Sequence, residues 1–140
     1  MRVIVDTNVL ISGLLSPTGS PAKIVNAILD GRIFPVMSKA TFEELESVLS
    51  RPQLKVYFKK ANVCPKTFLE TLKAVTEFVQ PQFTDALIRD NKDRPFLELA
   101  ATIPAPAYLI TGDKDFEQKR YHSVPVVSVS FFVTEILELM

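Results

Sequence analysis

The chain predicts an α/β fold with a mainly parallel sheet covered on both faces, and three observations lead there. Short apolar runs with strand character recur at Arg2-Val3-Ile4-Val5, Ile33 to Met37, Tyr108-Leu109-Ile110 and Val124 to Val129. Stretches with helical spacing of apolar residues lie between them, and such alternation is the pattern of a parallel sheet with helices on its faces. The length, 140 residues, is that of one domain with a real core, and no linker, internal repeat or low-complexity tract divides it. A single domain over residues 1–140 is expected.

The elements follow in order. Arg2 to Val5 reads as a buried strand that stops in a polar loop at Asp6-Thr7-Asn8. Val9 to Leu15 reads as a helix closed by Ser16-Pro17-Thr18-Gly19. Ser20-Pro21 then supplies an N-cap and a first-turn proline for a helix carrying Ile24, Ala27 and Ile28, which Gly31 stops. Ile33 to Met37 is the second strand, and Pro35 favours an edge position for it. Ser38 caps a helix whose members Phe42, Leu45, Val48 and Leu49 keep a period near 3.6, and Pro52 ends or kinks it. Two more helices are expected at Leu54 to Lys60 and at Pro65 to Phe78, the latter with Phe68, Leu72 and Val75 on one face.

Val79 to Phe83 carries little signal. Ala86-Leu87-Ile88 reads as a short strand before the polar run Arg89-Asp90-Asn91-Lys92-Asp93. Phe96, Leu97, Leu99 and Ala100 form a short helix that Ile103-Pro104 ends. Tyr108 to Ile110 is a buried strand leading into Thr111-Gly112-Asp113-Lys114-Asp115, and Val124 to Val129 is the last strand. Ser130 caps a final helix through Leu139.

Composition narrows the function classes. Nearly half the residues are apolar, at 47%, with ten Phe among them, which argues against disorder and leaves apolar surface for a subunit contact. Sixteen basic and sixteen acidic residues cancel, so the strongly basic footprint of many nucleic-acid binders is absent unless charge is segregated in space. Cys64 stands alone, which excludes an intrachain disulfide and Cys-rich zinc sites; it reads as a small buried apolar residue. Asp6 and Asn8 interrupt the apolar N-terminus and no apolar stretch approaches a membrane span, so no membrane association and a cytoplasmic location are expected.

The chemistry-bearing residues are carboxylates. Asp6 follows the first strand, and Asp113 and Asp115 follow Tyr108-Leu109-Ile110. Ligands of open parallel sheets bind beyond the carboxyl ends of strands, where strand order reverses, so acids at two such ends are expected to converge. Like charges gathered there call for a cation or shared protons. On the third helix, with Phe42, Leu45 and Leu49 turned inward, Glu44 is better placed than Glu43 to reach over the sheet. Asp93 precedes Pro95 and an apolar helix, where it can cap the N-terminus and also point into a shared pocket. An all-oxygen ligand set suits Mg²⁺ or Mn²⁺ and disfavours zinc. His122, the only histidine, reads as a surface or loop residue. Each acid taken singly has an ordinary structural reading as a turn, cap or solvated helix residue.

At these residues the sequence resembles the PIN-domain family, and within it the toxin components of bacterial and archaeal toxin–antitoxin pairs. Val3-Ile4-Val5-Asp6-Thr7-Asn8-Val9-Leu10 looks like the opening motif. Ser38 through Glu44 to Arg51-Pro52 looks like the second acidic segment, and Asp90-Asn91-Lys92-Asp93-Arg94-Pro95-Phe96 resembles the third, with Asp93 in the acidic place. Leu109-Ile110-Thr111-Gly112-Asp113-Lys114-Asp115-Phe116 resembles the last and is the most specific. The resemblance implies a three-layer α/β/α fold and a Mg²⁺- or Mn²⁺-dependent endoribonuclease. It also implies a homodimer or higher homo-oligomer and a cognate antitoxin.

In that reading Asp6, Glu44, Asp93 and Asp113 hold metal, while Thr7, Asn8, Thr111 and Asp115 orient those ligands or the phosphate. Four clustered acids carry roughly −4, which leaves the rest of the chain positive. Lys55, Lys59 and Lys60, with Lys114, Lys119 and Arg120, are then candidates for backbone phosphate contacts or, equally, solvated surface charges. Two other classes compete. One is a non-catalytic PIN-like module that binds RNA or protein. The other is a receiver-like signalling domain, which would want paired acids after the first strand and a phospho-acceptor Asp after a middle strand. A DxDxT phosphatase, a P-loop and a Rossmann fingerprint find no support in the spacing.

Overall fold

The computed structural model describes residues 1–86, 88, 91–112 and 119–140, with Lys92 as backbone only. Strand β1 (Arg2–Val5) is followed at once by helix α1 (Thr7–Leu15), so Asp6-Thr7-Asn8 is a helix start and not a loop. The cause is local: the Asp6 carboxylate accepts the Asn8 N–H and satisfies a donor that a helix N-terminus exposes. Helix α2 (Ser20–Leu29) has Pro21 in its first turn, but the capping position is Gly19 and Ser20 is already helical. Gly31, with φ of 75°, turns the chain out of α2 in a conformation that glycine adopts without strain.

Strand β2 (Phe34–Met37) leads into α3 (Lys39–Leu49), whose start is locked by a reciprocal pair. The Thr41 N–H donates to Ser38 Oγ at 3.2 Å and the Ser38 N–H donates to Thr41 Oγ1 at 2.9 Å. A 3₁₀ turn (Pro52–Leu54) passes into α4 (Lys55–Lys60). Helix α5 (Pro65–Val75) ends before the expected Phe78, because Thr76 turns extended and its hydroxyl donates to the Leu72 carbonyl at 2.7 Å. Glu77–Phe78 becomes β3, and the Phe78 ring packs edge-on against Phe42 with centroids 5.4 Å apart. Cys64 precedes α5 in an exposed turn, so the expected burial is corrected: Asn62, at φ of 56°, reverses the chain and Pro65 starts the helix.

The strand expected at 86–88 is absent at its described positions, Ala86 and Ile88, while Leu87 lies outside the described residues. Side chains take up the backbone there, with Arg94 donating to the Thr84 and Ala86 carbonyls and the Ala86 N–H donating to Thr84 Oγ1. A 3₁₀ turn (Asn91–Asp93) precedes α6 (Arg94–Ala100), and β4 (Tyr108–Ile110) follows. β5 (Arg120–Tyr121) and β6 (Val124–Val127) form a hairpin that the periodicity did not reveal. His122 occupies its turn at φ of 55°, exposed as expected, with Nε2 2.8 Å from Thr84 Oγ1. The last strand stops two residues short of Val129 because Ser128, not Ser130, caps α7 (Val129–Phe132), accepting the Phe131 N–H at 3.1 Å. A π-helical turn (Val133–Leu137) continues it.

The strands form one sheet in the order β3-β2-β1-β4-β6-β5, parallel at every junction except β6–β5. β2 is therefore not the edge strand that Pro35 suggested. The Phe34 N–H donates to Met1 O on the β1 side, so the Pro35 nitrogen points the other way. β3 pairs only with Val36 and Met37, and the proline sits just short of it, where no strand asks for an N–H. Val3, Val5 and Ile110 pack beneath Leu10, Ile28, Leu45, Leu72 and Phe132 of the helices on one face. Ile4, Val36 and Leu109 pack against Phe96, Leu97 and Leu99 of α6 on the other. The result is the expected three-layer α/β/α arrangement. No described helix is long and apolar enough to cross a membrane.

Candidate active site

From β1 the chain builds outward to β2 and β3, then crosses back to lay β4 on the other side of β1. Strand order therefore reverses between β1 and β4, and the crevice beyond their carboxyl ends is where such a sheet receives a ligand. Asp6 directly follows β1 and Thr111 directly follows β4. The two ends are stitched by the Asp6 N–H donating to Ile110 O at 3.0 Å, and the Thr111 N–H donates to Val127 O at 3.1 Å. Thr111 Oγ1 donates to Asp6 Oδ2 at 2.8 Å. The Asp6 side chain is thus fixed at a buried position, 3% exposed, where its direction is set by the backbone of two strands.

Thr7, one residue on, is buried and donates from Oγ1 to Glu44 Oε2 at 3.2 Å. Of the two neighbouring glutamates it is Glu44 that faces the crevice. Glu43 is exposed and lies 3.8 Å from Lys39 on the outer face of α3. The inward turn of Phe42, Leu45 and Leu49 determines this, since adjacent helix positions stand about 100° apart.

Beside Asp6 opens a cleft of about 300 Å³, walled by Asn8 and Ser12 of α1, Pro21 of α2, Gly112 after β4 and Val129 at the start of α7. Gly13 lets α1 and α2 approach closely enough to form that wall. A Cβ there would stand 2.5 Å from Val25 Cγ2 and 2.6 Å from Pro21 O. Ser12, Pro21 and Val129 were not read as site residues from the sequence. Ser12 alone had a signal, lying one helical turn after Asn8 on the same face of α1.

Asp93 stands at the N-terminal end of α6, a helix that packs on β1 and α3. It makes no side-chain capping bond there, so its expected capping role is corrected; its backbone is already helical, which turns the carboxylate away from the first amides. Its Oδ2 atom is shut off from solvent. Among the described residues no three metal-ligating side chains are gathered into one group. Asp6 and Glu44 meet through Thr7. Asp113 and Asp115 lie outside the described residues, although Gly112, just before them, lines the Asp6 cleft.

The family model of the PIN domain matches residues 2–115. This chain is a member of the PIN-domain family. All the acids named above fall inside the matched span. The PIN domain is also 32% identical over 115 residues to an uncharacterized protein of Methanocaldococcus jannaschii, covering 82% of this chain and 72% of that protein. PIN domains are generally nucleases that use divalent metal ions, and this chain has their nuclease-type fold. The donors at this PIN-domain site fit such an ion in kind: carboxylate oxygens, with threonine hydroxyls behind them, form a hard-oxygen set.

Proposed function

We propose that this PIN domain is an endoribonuclease that hydrolyses RNA phosphodiesters with Mg²⁺ or Mn²⁺. The observation that carries the reading is the buried Asp6 carboxylate, held by Thr111 at the reversal of strand order and lining a cleft. Asp6, Glu44, Asp93 and Asp113 are the residues to hold the cation. When bound, the cation supplies a water of lowered pKa and offsets charge on the attacking and leaving oxygens of the phosphate.

The protein's own contribution is orientation. The Thr111 hydroxyl sets one oxygen of Asp6 and the Asn8 N–H, at 3.4 Å, faces the other. Thr7 does the same for Glu44, and the reading gives Asp115, outside the described residues, the role of orienting the ligands or the phosphate. Groups that orient ligands in this way matter nearly as much as the ligands themselves. Water is the nucleophile, so the chemistry needs no Ser, His or Cys.

In this reading the domain is the toxin of a toxin–antitoxin pair, works in the cytoplasm where its RNA is, and forms a homodimer or higher homo-oligomer. Large exposed apolar side chains, Phe83 at 89% and Ile103 at 95%, support a contact with a second copy or with an antitoxin. The test is incubation with structured and unstructured RNA, with and without Mn²⁺, beside an Asp6→Asn/Asp113→Asn protein. Metal-dependent cleavage that vanishes in the double variant supports the reading. A folded wild-type protein that binds RNA and leaves it intact in Mn²⁺ would return the chain to the class of non-catalytic binding modules.

A further inference from the structure

The zero net charge hides a segregated one. From Ser47 to Leu69 the chain carries Arg51, Lys55, Lys59, Lys60 and Lys66 and not one acid. These side chains are all exposed, and none is in an ion pair among the described residues. Lys55 and Lys59 stand one turn apart on α4, a like-charge spacing that disfavours a helix and that no acid on α4 relieves. An arrangement that is unfavourable in the isolated protein becomes favourable once a polyanion lies on it.

The same two lysines line a cleft of about 540 Å³ between α4 and the ends of α3 and α5, with Phe58, Asn62, Val63 and Pro65. Apolar walls under a cationic rim suit a nucleobase below and its phosphates above. Tyr57, at 57% exposure, stands with Lys60 on the flank of the same short helix turned away from the Lys55–Lys59 row, so a strand that crosses α4 meets both. Helix α4 packs against α1, the helix that Asp6 caps.

We propose that α4 and its cleft are an anchoring surface for single-stranded RNA, with Lys55, Lys59 and Lys60 on the phosphates and Tyr57 stacking on a base. The inference rests on the reading of the substrate as RNA and not on the cleavage chemistry. Nucleic acid fits the surface better than an acidic protein does. The cores of protein interfaces are poor in lysine, whereas single-strand binders join a cationic track to aromatic platforms that accept any base.

The test is fluorescence anisotropy of a labelled oligouridine on the full chain in EDTA, across a KCl series, so that no cleavage enters the result. Each phosphate contact to a single strand contributes about 0.7 to the slope of log affinity against log salt. Lys55→Gln/Lys59→Gln/Lys60→Gln is expected to lower that slope by about 2 and to weaken binding on the order of tenfold. Tyr57→Ala is expected to weaken binding about fivefold or more while leaving the slope unchanged, as lost stacking does. Lys23→Gln/Lys39→Gln/Lys73→Gln removes the same charge outside the acid-free segment and should leave affinity near wild type. Equal losses in the two triple variants would overturn the proposal in favour of a diffuse charge effect. Retained RNA binding in the α4 variant overturns it as well. So does a surface that binds polyglutamate and not RNA, which would make it a protein-docking face. Absence of cleavage in Mn²⁺ bears only on the catalytic reading.

Discussion

Thr111→Val deletes one hydroxyl and keeps the shape of the side chain, so it removes the bond from Thr111 Oγ1 to Asp6 Oδ2. That bond is 2.8 Å long between residues 5% and 3% exposed. A hydrogen bond to a charged group contributes about 1.5–3 kcal/mol. Burial puts this one in the upper part of the range, because water cannot easily replace the lost donor and a methyl group is left against a carboxylate. The expected loss of unfolding free energy is therefore about 2–3 kcal/mol. For a chain of 140 residues that lowers Tm by about 6–12 °C. Metal-dependent RNA cleavage, assayed well below the variant's Tm, should fall about 10–100-fold, the usual effect of removing a group that orients a ligand. Thr111→Ser restores the hydroxyl and should recover most of both. A valine variant with wild-type Tm and cleavage would refute the claim that this bond holds Asp6 in place. A serine variant as impaired as valine would refute it too, by assigning the effect to packing of the threonine methyl.

Glu44→Gln should abolish cleavage while Glu43→Gln, on the exposed face beside Lys39, leaves it unchanged; initial rates in Mn²⁺ decide between them. Gly13→Ala pushes a methyl into Val25 and the Pro21 carbonyl, where overpacking costs about 1–3 kcal/mol. The better helix propensity of alanine returns up to about 1 kcal/mol, so urea unfolding should show a net loss. Hydrogen bonds from Thr67, its side chain foremost, hold the exposed Cys64 thiol below its ordinary pKa. Since the thiolate is the reactive form and its fraction rises with pH, iodoacetamide labelling should reach half its maximal rate below the usual thiol midpoint. Thr67→Val should move that midpoint upward.

The parts of the fold that were legible are those set by nearest neighbours in the chain. Val3-Ile4-Val5 and Tyr108-Leu109-Ile110 announce buried strands by composition, and the acids or hydroxyls after them mark the sheet's carboxyl edge. The 3.6-residue period ranked Glu44 above Glu43 for reaching over the sheet, and the bond from Thr7 separates them. What escaped depends on which backbone groups find partners. Pro35 breaks no ladder only because β3 stops at Val36, a fact about a strand some forty residues away. Residues 120–121 are too few to show a period and exist as a strand only through pairing with β6. Ser128 and Ser130 are equivalent in composition, and the choice between them follows from where β6 ends. At the site, Pro21 and Val129 wall the Asp6 cleft because α1, α2 and α7 converge there, which no local pattern encodes.

The structural and catalytic readings of Asp6 look like rivals, yet the geometry makes them complementary. A carboxylate has about four acceptor sites, so capping α1 and receiving Thr111 does not preclude holding a cation. The N-terminus of α1 also favours negative charge at this point. The two roles come apart by substitution. Asparagine is as good an N-cap as aspartate, and its amide can still pair with a threonine hydroxyl, which donates or accepts. Asp6→Asn should therefore melt close to wild type while losing metal-dependent cleavage. Asp6→Ala removes the cap as well, at a cost of about 1 kcal/mol or more, and should lose both stability and activity. If asparagine destabilises the chain as much as alanine does, the charge itself is structural, and loss of cleavage in Asp6→Asn says nothing about metal.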